Sequence, residues 1–178
     1  MGMNNNLNII YIVASEKGIS GGEKVIYRHS EKINKLSKNI TSEIIPLEKK
    51  RISKYKNSLN KILNINKKYS GWTLNDVKIK TNHKPKFFDH NPQFRKKFDF
   101  NKKTDFVILP EIFAHLANDL LIKNNIPYAI FVQNGYAINF TTNYKDLDLA
   151  YKKAKLILSV SQDTTKIINH VYGKYSKE

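Results

Sequence analysis

Short apolar runs, too continuous to leave one face in water, alternate along this chain with segments of helical period, and that alternation constrains the fold more than any other feature. Asn8–Ala14, Asp105–Pro110, Tyr128–Gln133 and Leu156–Val160 are such runs, rich in β-branched and aromatic residues. A strand apolar on both faces belongs inside a parallel sheet with helices covering each side. After the first run, Gly18, Gly21 and Gly22 break any regular structure, and a helix follows from Glu23. There Val25, Ile26, His29, Ile33 and Leu36 fall near a 3.6-residue period and share a face. Ser42–Pro46 reads as a second strand, closed by its proline. A helix is expected over about Glu111–Asn124, with Ile112, His115, Leu116, Asp119, Leu120 and Leu121 on its inner face, then a turn at Asn124–Pro127. Asn134-Gly135 reads as a tight reversal, Tyr144–Lys155 as a helix, Ser161 as the N-cap of the last helix and Gly173 as its C-cap. The expectation is an α/β domain spanning residues 1–178: a Rossmann-like, doubly wound, mainly parallel sheet of about five strands with helices on both faces.

Residues 47–103 interrupt this order as an excursion, partly helical and partly irregular. Lys49–Lys68 is basic and amphipathic, with Ile52, Tyr55, Leu59, Ile62 and Leu63 forming a stripe among lysines. Tyr69–Lys103 carries Trp72 and a cluster of Phe, Lys and Asn around a short strand at Val77–Lys80, and is expected to pack its aromatics on the body. The net charge of +16 invites a nucleic-acid reading. Yet the arginines are Arg28, Arg51 and Arg95 alone, and the other basic residues are lysine. Lysine, asparagine and isoleucine are what A/T-rich codons encode, whereas base readers favour the planar fork of arginine. Nucleic acid is therefore not the favoured partner, and nucleotide diphosphates or acidic lipids suit the charge equally. For Lys49–Lys68 a helix packed on the sheet with a solvated lysine face comes first, and peripheral contact with anionic membrane second. The absence of cysteine excludes a disulfide scaffold and thiolate metal sites. The histidines His29, His83, His90, His115 and His170 lack paired ligand spacing, so no metal site is expected. No run approaches the roughly 18–20 apolar residues of a membrane span, and no secretory layout opens the chain, so a cytoplasmic protein is expected.

Ligands of open α/β sheets lie beyond the carboxyl ends of the strands, and three segments leave the sheet there with unusual composition. Gly18, Gly21, Gly22 and Glu23 lead into a helix N-terminus, where backbone amides favour anions and glycines admit a phosphate or sugar to the main chain; a plain tight turn explains them as well. The segment matches neither the dinucleotide fingerprint nor a P-loop. Gln133, Asn134 and Tyr136 follow a buried strand, where amide side chains donate and accept together, as hydroxyl-rich ligands require; a turn made by Asn-Gly is the alternative. Glu111 opens a helix, where a carboxylate ordinarily serves the dipole; a catalytic or ligand-binding role is the alternative.

Taken together these segments resemble family 4-type glycosyltransferases of the GT-B fold. Gly21-Gly22-Glu23 followed by Lys24–Arg28 resembles the family's GG-x-E opening, and Asp105–Pro110 the strand before its mid-domain helix. Asn125–Gln133 is similar to the next strand, and Ala154–Ser161 to the late A-x-x-I-x-x-V-S strand. Gln133-Asn134 stands where many members carry a histidine, closer to the variant of rhamnosyltransferase-like members. The resemblance implies an N-terminal, acceptor-side domain of an enzyme that moves a sugar from a nucleotide-sugar donor to a glycan or lipid-linked acceptor, with no metal in the catalytic step and no cofactor beyond the co-substrate. It places the glycine loop near the donor phosphates. The family's donor-binding lysine, arginine and paired glutamates belong to a second Rossmann-like domain and have no counterpart in these residues. The resemblance thus implies a C-terminal domain supplied in cis or trans, and an isolated chain without activity. The alternatives are a stand-alone α/β protein that binds a nucleotide or sugar for regulation and, after it, a basic nucleic-acid module.

Overall fold

A computed structural model describes residues 6–15, 20–50, 73–80, 92–139 and 144–175. The first apolar run forms β1 (Leu7–Ala14), and α1 (Gly21–Leu36) returns the chain to β2 (Ile40–Lys49), parallel to β1 with Leu7 opposite Ile40. Two short strands, β3 (Val77–Ile79) and β4 (Gln93–Phe94), precede β5 (Asp105–Pro110) and β6 (Tyr128–Val132). Helix α2 (Ala117–Leu120) lies between β5 and β6; α3 (Tyr144–Lys153), β7 (Leu156–Ser159) and α4 (Gln162–Tyr172) complete the described order. The seven-stranded sheet runs β3-β2-β1-β5-β6-β7, with β4 also paired to β2. Every pairing is parallel except β2 with β3. This is the expected α/β architecture.

Alternation along the central strands sends side chains into two cores. Ile10, Ile12, Val107, Leu109, Ile130 and Val132 point to the face covered by α2, α3 and α4, where Phe113, Ala150, Tyr151 and Ile168 meet them. Tyr11, Val13, Ile108, Ala129 and Phe131 point to the other face, under Ile26 and Tyr27 of α1. Each fully buried isoleucine or leucine contributes roughly 1.5–3 kcal/mol relative to exposure, which is why the runs are apolar on both faces.

Several expectations are corrected. The strand does not close at Pro46 but continues to Lys49. The Pro46 carbonyl accepts from the Lys80 N–H at 2.8 Å, so its ring nitrogen faces the same outer edge of β2. There it falls between the pairings with β4 (Glu43, Ile44) and β3 (Leu47–Lys49), where no donor is needed. The excursion thus returns twice to the sheet, covering an edge of β2 that would otherwise be unpaired. Phe94 packs edge-on against Tyr27 with ring centroids 6.3 Å apart, as expected of the aromatics, whereas Phe98 stays partly exposed. The basic stretch 49–68 lies, beyond Lys50, outside the described residues, as do Trp72 and Gly18.

The face of α1 is rotated from the expected one. Glu23, Ile26, Tyr27 and Ser30 are buried, while Val25 and Leu36 are exposed. Tyr27 can enter the core because its hydroxyl donates to Glu23 Oε1 at 2.6 Å, so each satisfies the other. The expected helix after β5 is a 3-10 run over Glu111–Leu116, one α turn over Ala117–Leu120, and a second 3-10 turn at Ile122–Asn124. Burial is continuous from Phe113 to Ala117, so the segment has no single inner stripe. The tighter coil aligns Phe113 with Leu116. Asn125, at φ 54°, ends it in the left-handed conformation. Ser161 caps α4 by accepting from the Thr164 N–H at 3.2 Å, and Gly173 is its C-cap, in right-handed helical conformation.

Candidate functional site

β1 and β5 are hydrogen-bonded neighbours whose chains leave the sheet toward opposite faces, α1 on one and the Glu111 turn on the other. Strand order reverses between them, making this the switch point, where α/β sheets place their ligand crevice beyond the carboxyl ends of the strands. The residues lining it are held as follows.

On one side stands the first turn of α1. Ser20 Oγ accepts from the Glu23 N–H at 3.1 Å, and Glu23 Oε2 accepts from the Ser20 N–H at 3.4 Å, a reciprocal capping box. The Glu23 carboxylate, 3% exposed, is thus engaged by the cap and by Tyr27, and it points inward. Gly21 is exposed, with no atom within 4 Å of where a Cβ would stand, so its backbone is open to an approaching group. Gly22 is different: a Cβ there would lie 2.4 Å from Gln133 Oε1.

That close approach joins the second segment to the first. Gln133, just after β6, donates from Nε2 to the Gly22 carbonyl at 3.0 Å, across the mouth of the switch point. Asn134 and Gly135 do not form the tight reversal that the sequence suggests. Asn134 is extended (φ −134°) and its Oδ1 accepts from the Tyr136 N–H at 3.0 Å, capping a 3-10 turn over Gly135–Ala137. A Cβ at Gly135 would stand 2.7 Å from Ile167 Cδ1 on α4, so a larger residue there requires the tip of that side chain to move. Tyr136 projects outward at 83% exposure, with no side-chain bond to the other described residues of the site.

Glu111 ties the third segment to the second. Its carboxylate accepts from the Gln133 N–H through Oε2 and from the Asn134 N–H through Oε1, each at 3.1 Å. Burial pushes its pKa above the ordinary carboxylate value, and hydrogen bonds from the Gln133, Glu111 and Asn134 backbones offset part of that rise. Glu111 therefore shapes the loop after β6 as well as standing at the start of a helical turn.

Lys80 is a crevice residue that sequence reasoning misses. Its ammonium lies 3.4 Å from Ser15 Oγ at the carboxyl end of β1. Only the antiparallel pairing of β3 with Leu47–Lys49 brings it there, and nothing in the local sequence signals that pairing.

Gly21, Gly22, Glu23, Glu111, Gln133 and Asn134 are thus brought to one place, with Glu23 turned into the core and Tyr136 turned out to solvent. Open backbone, amide side chains, serine hydroxyls and one ammonium can bind a ligand rich in hydroxyls or carrying an anionic group. Among the described residues no three of His, Asp or Glu gather where a metal ion could bind, and no helix is long and apolar enough to cross a membrane. No protein-family model matches the sequence, and no match to it is found among curated proteins or solved structures.

Proposed function

We propose that the chain is the acceptor-side half of a two-lobed glycosyltransferase, whose crevice receives a hydroxyl-rich glycan or lipid-linked acceptor beside the phosphates of a nucleotide-sugar. The observation that carries this reading is the Gln133–Gly22 hydrogen bond. It links two of the segments in which the sequence resembles that family, and it does so at the switch point where α/β sheets bind ligands. The work asked of this half is positioning. The acceptor hydroxyl attacks the anomeric carbon of the donor, its proton passes to a base or to the departing phosphate oxygen as the nucleotide diphosphate leaves, and rate comes from holding both in a water-poor cleft. A donor-binding half, in cis or in trans, is needed for that. Transfer by the 178-residue chain alone is expected to be negligible in a nucleotide-release assay, and clear turnover would refute the division of labour.

A second reading, a non-catalytic nucleotide or sugar binder, is favoured by the inward commitment of both crevice carboxylates, Glu23 to its cap and Tyr27 and Glu111 to the loop after β6. An assigned amide NMR titration with a panel of nucleotide-sugars, and a short oligonucleotide in parallel, tests the site common to both readings. Shifts confined to Gly18–Glu23 and Gln133–Tyr136, lost in Gly22→Ala because the new methyl displaces the Gln133 side chain, are the expected result. Silence with every nucleotide-sugar, together with salt-sensitive shifts at scattered lysines with the oligonucleotide, would instead favour a basic nucleic-acid module.

A further inference from the structure

The turn that carries β4 into β5 lies at the opposite end of the sheet from the crevice and is unusually fixed. Arg95 donates through Nε to Glu43 at 2.9 Å, through Nη1 to Asp105 at 2.8 Å, and through the same nitrogen to the Asp99 carbonyl at 2.9 Å. Its Nη2 lies a further 2.8 Å from Glu43. The Arg95 and Asp105 side chains are 17% and 4% exposed. Asp105 also accepts from the Asn101 N–H at 2.9 Å, and the Asn101 carbonyl accepts from the Thr104 and Asp105 N–H groups. Arg95 makes four contacts from three nitrogens to two carboxylates and a carbonyl, a spread that the planar arginine fork spans and the single nitrogen of lysine does not. In a chain this rich in lysine, the arginine marks a place where geometry matters.

What this frame holds outward is four exposed lysines, Lys96, Lys97, Lys102 and Lys103, none of them ion-paired among the described residues, around the partly exposed Phe98. The Phe98 and Phe100 rings are 6.3 Å apart, tilted by 48°, and with Lys102 and one exposed carboxylate, Asp99, outnumbered by the four lysines, they border a depression of about 380 Å³. Lys38 after α1 and Lys152 and Lys153 in the last turn of α3 belong to the same end, because helices of a parallel sheet finish where the next strands begin.

We propose that this face docks on an anionic lipid surface, with Phe98 entering the interface and the four lysines over the headgroups. An apolar ring fringed by unpaired ammonium groups suits that boundary, and a turn already fixed by Arg95 loses little conformational freedom on docking. Single-stranded nucleic acid fits less well, since successive bases need aromatic faces that can stack in series and these two rings are tilted. Six residues of β5, about 20 Å, separate the turn from the crevice. Docking here leaves the crevice facing away from the lipid, an arrangement that suits a soluble glycan acceptor rather than a lipid-linked one, and the inference does not rest on the function proposed for the crevice.

The test uses the whole chain and vesicles of phosphatidylcholine with or without phosphatidylglycerol. In co-sedimentation at low salt, replacing Lys96, Lys97, Lys102 and Lys103 with Gln is expected to weaken binding about fivefold per lysine. A charge-matched control replaces Arg28, Lys50, Lys145 and Lys166, which are exposed elsewhere, and should retain most of the binding; circular dichroism checks that both variants fold. The chain has no cysteine, so Phe98→Cys and Tyr136→Cys each accept one environment-sensitive dye. The dye at 98 should shift to the blue and be quenched by lipid-borne quenchers, and the dye at 136 should do neither. Equal loss in the two quadruple variants overturns the proposal. So does an unresponsive dye at 98, or binding of a single-stranded oligonucleotide through these lysines by a chain that ignores the vesicles.

Discussion

A carboxylate at 5% exposure keeps its charge in a protein only where hydrogen bonds replace its water, and Glu111 receives such bonds from two successive backbone N–H groups of the loop after β6. Burial nevertheless wins, and its folded-state pKa lies above the ordinary carboxylate value. Protonation therefore favours the fold. The contribution is complete below the unfolded-state pKa and is lost as pH rises through the folded one. Glutamine at this position has one carbonyl for two N–H groups, so one is left buried without an acceptor, at a cost of about 1–3 kcal/mol. Glu111→Gln is expected to lower the urea midpoint at neutral pH, with a deficit larger near pH 4 than near pH 7, because the variant lacks the wild-type slope. An unchanged midpoint at both values would show that the carboxylate does not hold the loop. The same variant should disturb the amide resonances of Gln133 and Asn134 before those of any other loop.

The element most exposed to single changes is α1, which covers its face of the sheet through Ile26, Tyr27 and Ile33. Its first turn rests on the Ser20–Glu23 box, so Ser20→Ala should cost on the order of 1 kcal/mol. The loss should appear as a lower melting temperature and faster hydrogen exchange at Glu23 and Lys24; unchanged exchange there would mean that the box does not stabilise the turn. Ser20-x-x-Glu23 is a capping signature legible in the sequence, and it accounts for Glu23 better than ligand contact does. The strands of the parallel sheet were legible for a related reason, since an apolar run bounded by Pro, Gly or polar turns leaves few other folds. Elements whose existence depends on a neighbour were harder to read. β4 has two residues and no period, and it forms because β2 has an edge to cover. The 3-10 coil after β5 follows from burial on all sides, which outweighs local helical preference. At the crevice, the glycines and amides announced themselves by type. Lys80 and the inward turn of the Glu111 carboxylate arise from pairings across the sheet that no local pattern encodes.

At the scale of the whole molecule, the two cores share a chemical feature with a consequence at high pH. Tyr11 and Tyr27 are buried beneath α1, and Tyr128, Tyr151 and Tyr172 on the opposite face. Burial is the first cause of a raised pKa at each of them, up to about 12 at Tyr11 and Tyr172 and further at the other three. Unfolded phenols ionise near 10. The fold therefore keeps its full contribution from these tyrosines below about pH 10, and loses it as pH climbs through the folded-state values. A second effect opposes this. The net charge of +16 repels itself, and lysines losing their protons over the same range relieve the strain. That repulsion acts between solvated groups and is screened by salt, whereas the phenols must be exposed one and all for their ionisation to be gained. The phenols should win, and the more plainly at high ionic strength. Raising the pH from about 9 to 12 in concentrated salt should give one cooperative transition, in which the phenolate absorbance of the five buried tyrosines at 295 nm, beyond that of exposed phenols such as Tyr136, rises together with the loss of far-ultraviolet circular dichroism. Phenolate absorbance from all ten tyrosines developing while the dichroism stays native would show that neither core is closed around its tyrosines.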